Sequence, residues 1–63
     1  MCLSTVYKGE KAPQNVVMSN VQRIDLQDGQ VLLTDLMDRQ VAIEGRLVEA
    51  SLVDGFVVVE ETA

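Results

Sequence analysis

Hydrophobic positions along the chain fall into short runs whose spacing is that of strands, not of helices. Seven segments stand out, at residues 2–8, 15–18, 21–27, 30–36, 39–44, 47–53 and 56–60, all rich in aliphatic or β-branched residues. Turn chemistry separates them: Gly9 with Pro13, then Ser19-Asn20, Asp28-Gly29, Met37-Asp38, Gly45 and Asp54-Gly55. A turn about every eight to twelve residues predicts an all-β domain, a small antiparallel meander forming a strongly bent sheet or small barrel. A helix is conceivable only across residues 44–52, where Leu47, Val48 and Leu52 could share a face; Gly45 and Asp54-Gly55 on its flanks favour a strand.

Turn chemistry also predicts registers. Asp28-Gly29 suits a two-residue type I′ loop, which sets Leu26 opposite Val31 and Ile24 opposite Leu33 on one apolar face. Val21, Leu32 and Leu36 then share the other face with Arg23, Asp25 and Thr34, making it a candidate subunit interface. At Asp54-Gly55 a strict two-residue loop would set Glu49 against Glu60, and like charges opposite each other destabilise a ladder. A three-residue loop with Gly55 in a bulge avoids this, pairing Leu52 with Phe56 and Ala50 with Val58. The acidic end, residues 60–63, is expected to fray.

Composition adds a size problem. Sixty-three residues make one domain, residues 1–63, with a core that is marginal alone, yet 48% of the chain is hydrophobic. One cysteine cannot form an internal disulfide, so a homodimer is the expected source of extra burial. Ten acids against five scattered bases give a net charge of −5, which opposes the counterion-releasing phosphate contacts of a nucleic-acid binder. No stretch has the length of a membrane span and no signal-peptide pattern opens the chain. Together with a lone cysteine, this predicts a cytoplasmic protein.

Most catalytic constellations are excluded. The chain contains no histidine, so neither a Ser-His-Asp nor a Cys-His arrangement can form. Its glycines are isolated, with no phosphate loop, and Asp35, Asp38 and Glu44 lie beside turns as solvated residues, without calcium-loop spacing. So small a chain has little room to enclose a substrate, and the reading is of a protein that is not an enzyme. Met18 and Met37 are expected to fill gaps in a core or interface, and Tyr7 and Phe56 to be core aromatics.

Cys2 stands apart through its position. With Met1 removed, its own amine and thiolate could close a chelate ring; with Met1 retained, the Met1 amine and the Cys2 amide nitrogen lie beside the sulfur. Nitrogen and thiolate donors suit Ni(II) or Cu(II), and thiolate-rich sites Zn(II) or Cu(I). One chain supplies too few ligands, whereas a two-fold axis would double the set. The plain alternative is a small buried hydrophobe in the first strand.

The opening Met1-Cys2-Leu3, the hairpin across residues 21–36 with its Leu33-Thr34-Asp35-Leu36 segment, and residues 44–60 together resemble the CooT family over nearly the whole chain. That resemblance implies a cytoplasmic homodimer with a bent all-β sheet. It implies Ni(II) bound through Cys2 of both chains, in maturation of a nickel enzyme such as carbon monoxide dehydrogenase. Some relatives are labelled RNA-binding or regulatory modules, which is the alternative function. The start also resembles HypC-type hydrogenase chaperones, but Ser4-Thr5-Val6 stands where Ile-Pro-Gly would follow.

Overall fold

The computed structural model describes residues 3–62. The metal ligands expected at Met1 and Cys2 therefore lie outside the described residues, as does Ala63. Five strands run in the order β1 (Ser4–Lys8), β2 (Val16–Gln27), β3 (Gln30–Asp35), β4 (Gln40–Ser51) and β5 (Phe56–Glu61), with one 3-10 turn at Pro13–Asn15. The all-β expectation holds. Seven expected segments become five because two turn signals act inside strands. Asn20 takes a positive φ of 55° within β2, and Gly45 sits in mid-β4, where a Cβ would collide with the Glu60 backbone carbonyl. Both residues mark bends of a continuous strand. The region weighed as a helix, residues 44–52, is almost wholly strand β4.

Successive strands pair antiparallel, and β1 closes the ring on β5 in parallel, giving a five-stranded barrel. The two long strands each serve two partners. β2 pairs first with β1 and then with β3, and β4 pairs first with β3 and then with β5. The core comprises Val6, Val21, Val31, Leu33, Ile43, Val57 and Val59, with Met18, Ile24, Val41 and Leu47 packed against it. Three successive valines of β5, Val57, Val58 and Val59, are buried, and Val57 and Val59 belong to the core.

The hairpin registers divide. Leu26 faces Val31 and Ile24 faces Leu33, as the Asp28-Gly29 signal predicts. Only Gly29 of the two turn residues has a positive φ, so the loop is not type I′. A bulge between Val21 and Arg23 rotates Val21 onto the core side, where it is buried; it does not share the outer face with Leu32 and Leu36. Leu26, placed on the core face by alternation, reaches beyond the core and is 61% exposed.

At the second hairpin both expected registers are replaced. Ser51 faces Phe56 across a four-residue loop, and Ala50 faces Val57. The bulge falls between Leu47 and Glu49 instead of at Gly55, so Glu49 meets Val58 and Glu60 meets Arg46. The Glu49–Glu60 repulsion is avoided, by a bulge placed earlier in the chain, within β4. Residues expected to fray are held: Glu60 and Glu61 belong to β5, and the Thr62 N–H donates to the Glu44 carbonyl at 2.9 Å. Met18 packs on the core, but Met37 is 72% exposed on a turn. Tyr7 and Phe56 are half-buried partners in an edge-on contact, outside the core.

Candidate functional site

Leu3 is the residue joined to Cys2, and the β4–β5 turn determines where it lies. Gly55 has a φ of 73°, and its N–H donates to the Ser51 carbonyl at 2.9 Å, closing the four-residue tip. Its carbonyl then accepts from the Thr5 N–H at 3.0 Å, and a Cβ on Gly55 would lie 3.6 Å from the Leu3 carbonyl oxygen. The first strand therefore begins against this turn. Ser51 and Asp54 stiffen it further, since the Asp54 N–H donates to the Ser51 hydroxyl at 3.2 Å. At the tip, Leu52 and Val53 are 80% and 96% exposed.

The same end of the barrel has an open apolar groove. Ser4, Ile24, Leu26, Leu47, Leu52 and Val57 are among its lining residues. Its cause lies in the strand offsets. β1 pairs with β2 only as far as Val21, so residues 22–27 of β2 have β3 on one side and no ladder partner on the other among the described residues. Likewise residues 46–51 of β4 pair only with β5. Two unpaired strand edges thus flank an apolar groove beside the beginning of β1. Periodicity could not reveal this, because an edge is defined by which neighbour stops early.

At the C-terminal end of β3, where Asp35 faces Val21 of β2, lies the Leu33-Thr34-Asp35-Leu36 segment. Asp35 was expected to be solvated and is instead 3% exposed. Its Oδ1 accepts from the Met37 and Arg39 N–H groups at 2.8 and 2.9 Å, and its Oδ2 from Arg39 Nε at 2.8 Å. Burial raises its pKa, but the backbone donors of Arg39 and Met37 and the Arg39 guanidinium outweigh that and hold it below the ordinary 3.8. Asp38 takes a φ of 65° to complete the turn. The role of Asp35 is structural: it knits the β3–β4 connection.

The cations are engaged. Lys8 pairs with Glu61 at 3.4 Å, Arg23 with Asp25 at 3.1 Å, Arg39 with Asp35 at 2.8 Å and Arg46 with Glu60 at 3.0 Å. Lys11 lies 4.3 Å above the Phe56 ring. Among the described residues, no three acidic or cysteine side chains gather closely enough to hold a metal ion. No helix there is long and apolar enough to cross a membrane.

A family model described as "CooT: CO dehydrogenase accessory protein CooT" matches residues 1–60. Among solved structures, the crystal structure of a candidate CooT from Carboxydothermus hydrogenoformans superposes with a TM-score of 0.84. That alignment covers 98% of this chain and 100% of the other at 14% identity, a likeness of fold. No curated protein matches the chain.

Proposed function

The chain belongs to the CooT family, and on that footing we propose that it serves maturation of a carbon monoxide dehydrogenase by holding Ni(II) through Cys2 of two chains. The observation that carries this reading is that the family match begins at residue 1 and so takes in Cys2. Elimination supports it. There is no histidine, and the described residues gather no acidic metal cluster. The other soft donors are separated, with Met18 against the core and Met37 on an exposed turn. Leu3, the residue bonded to Cys2, has its carbonyl against the Gly55 turn. Nickel here is cargo, and the chain contributes donors to it.

The test is a nickel titration of the wild-type protein and of Cys2→Ser, followed by thiolate-to-metal charge-transfer absorption. Saturation at one Ni(II) per two wild-type chains, with the band absent in Cys2→Ser, is the expected result. Equal binding by the two proteins overturns the proposal. An RNA-binding reading finds no support in the side chains, because four of the five cations are paired with carboxylates and Lys11 is stacked.

A further inference from the structure

Two Asp-Gly dipeptides, Asp28-Gly29 and Asp54-Gly55, lie in the loops of the β2–β3 and β4–β5 hairpins. Both carry the same latent chemistry, because a glycine has no Cβ to shield the amide nitrogen that follows the aspartate. Attack of that nitrogen on the side-chain carbon closes a five-membered ring, a reaction within one chain that proximity favours. The fold treats the two nitrogens differently.

At the β4–β5 turn both reacting groups are held. The Gly55 N–H donates to the Ser51 carbonyl at 2.9 Å, and the Ser51 hydroxyl donates to Asp54 Oδ2 at 3.3 Å. Gly55 is also half-buried. At the β2–β3 turn neither group is held. Among the described residues, the Gly29 N–H donates to no backbone carbonyl, and the Asp28 side chain enters no hydrogen bond or ion pair. Asp28 and Gly29 are both exposed, and nothing lies within 4 Å of where a Gly29 Cβ would be.

We infer that Asp28 is a site of spontaneous aspartyl isomerisation in the folded protein, while Asp54, in the same dipeptide, is protected by its turn. The Gly29 nitrogen bonds to Asp28 Cγ, and its proton leaves with the carboxyl hydroxyl as water. The succinimide so formed then takes back one water. Opening at the side-chain carbonyl restores aspartate. Opening at the main-chain carbonyl leaves the chain running through Cβ and Cγ, an isoaspartyl link. Water lost in the first step is regained in the second, so no oxidant or other co-reactant is needed.

The change starts in a loop and reaches β4. A two-residue loop closed by the Gln27–Gln30 pair gains an extra backbone carbon. Just beyond it, the Gly29 carbonyl accepts the Gly45 N–H at 3.0 Å, so the lengthened loop strains the bend of β4. The isoaspartyl residue also exposes a free α-carboxylate. That group is the methyl acceptor for S-adenosylmethionine-dependent isoaspartyl methyltransferases, the class of enzyme this site would take.

Ageing the protein in warm neutral buffer, folded and in denaturant, tests this. Trypsin separates the two sites, leaving Asp28 in residues 24–39 and Asp54 in residues 47–63. Isoaspartate is read in each peptide by electron-transfer fragmentation, and independently by methyl-ester formation with an isoaspartyl methyltransferase. In the folded chain Asp28 should isomerise roughly fivefold or more faster than Asp54, the effect of one hydrogen bond that must first open. In denaturant the two rates should converge, since only the dipeptide then matters. Asp28→Glu, with circular dichroism to check its fold, should lose the signal from residues 24–39, because glutamate would have to close a larger ring. Equal or faster isomerisation at Asp54 in the folded chain overturns the proposal. So does a folded chain that forms no isoaspartate at Asp28 while the unfolded chain does. A difference between the sites that persists unchanged in denaturant overturns it as well, since the turns would then have no part in it.

Discussion

Asp35 holds Arg39 through both carboxylate oxygens, Oδ1 taking its backbone N–H at 2.9 Å and Oδ2 its Nε at 2.8 Å. The Asp35 N–H in turn donates to the Arg39 carbonyl at 2.9 Å, so the two residues close the β3–β4 turn from main chain and side chain together. Asp35→Ala leaves three donors without their acceptor and should lower Tm by several degrees, with Asp35→Asn intermediate. Thermal unfolding by circular dichroism at neutral pH measures both.

The same carboxylate sets an acid limit. Its pKa is held below the ordinary 3.8 in the folded chain, so the unfolded chain binds its proton first as pH falls. The stabilisation is complete above that ordinary value and is lost as pH drops through the folded one. Urea unfolding of wild type should show stability declining below about pH 4. In Asp35→Asn that part of the decline should be missing.

Glycine substitutions should separate close approach from backbone sign. Gly45→Ala drives a methyl group into the Glu60 carbonyl at a strand bend and should cost about 3 kcal/mol or more. Gly9 has open space around it at a φ of 90°, so Gly9→Ala should cost only about 1–2 kcal/mol. Denaturant midpoints of the two variants give the ranking.

Core and tip leucines should differ as sharply. Leu33 is 0% exposed, and Leu33→Ala should lose about 2–5 kcal/mol, enough to unfold much of so small a domain. Leu52 is 80% exposed, and Leu52→Ser should stay within about 0.5 kcal/mol by the same measurement.

Metal should be linked to stability and to protons. Saturating Ni(II) should raise the Tm of wild type, by an amount equivalent to about 2.7 kcal/mol at a hundred times the dissociation constant. Cys2→Ser should show no shift. Because the thiolate must lose its proton to bind, the shift should shrink as pH falls.

The class of the fold was legible in the spacing of the aliphatic runs, and the first hairpin's register in Asp28-Gly29. What escaped depends on neighbours distant in sequence. Asn20 and Gly45 have turn chemistry, yet both bend strands that continue because fresh partners take over beyond them. Val21 alternates outward on paper and is turned inward by a bulge that no residue type announces. Asp35 looks solvated in a sequence, since its donors come from the backbone of its own turn. Leu52 and Val53 look like the end of a strand but lie in a loop, because Ser51 faces Phe56. Of the proposed site, sequence supplied Cys2 and resemblance the metal; the braced turn beneath Leu3 and the free edge of β2 required the pairings.

The parallel contact of β1 with β5 also orders events in time. Thr5 through Lys8 find their second partner only in residues 56–59, the last strand of the barrel. Such long-range closure is slow relative to hairpin formation. During synthesis the first strand therefore waits for nearly the entire chain to emerge, and until then the Gly55 turn against which Leu3 rests does not yet exist. A nascent or truncated chain lacking β5 would have its first strand but not the parallel ladder that holds it. The last contact to form is therefore the one that holds the beginning of the barrel to its end.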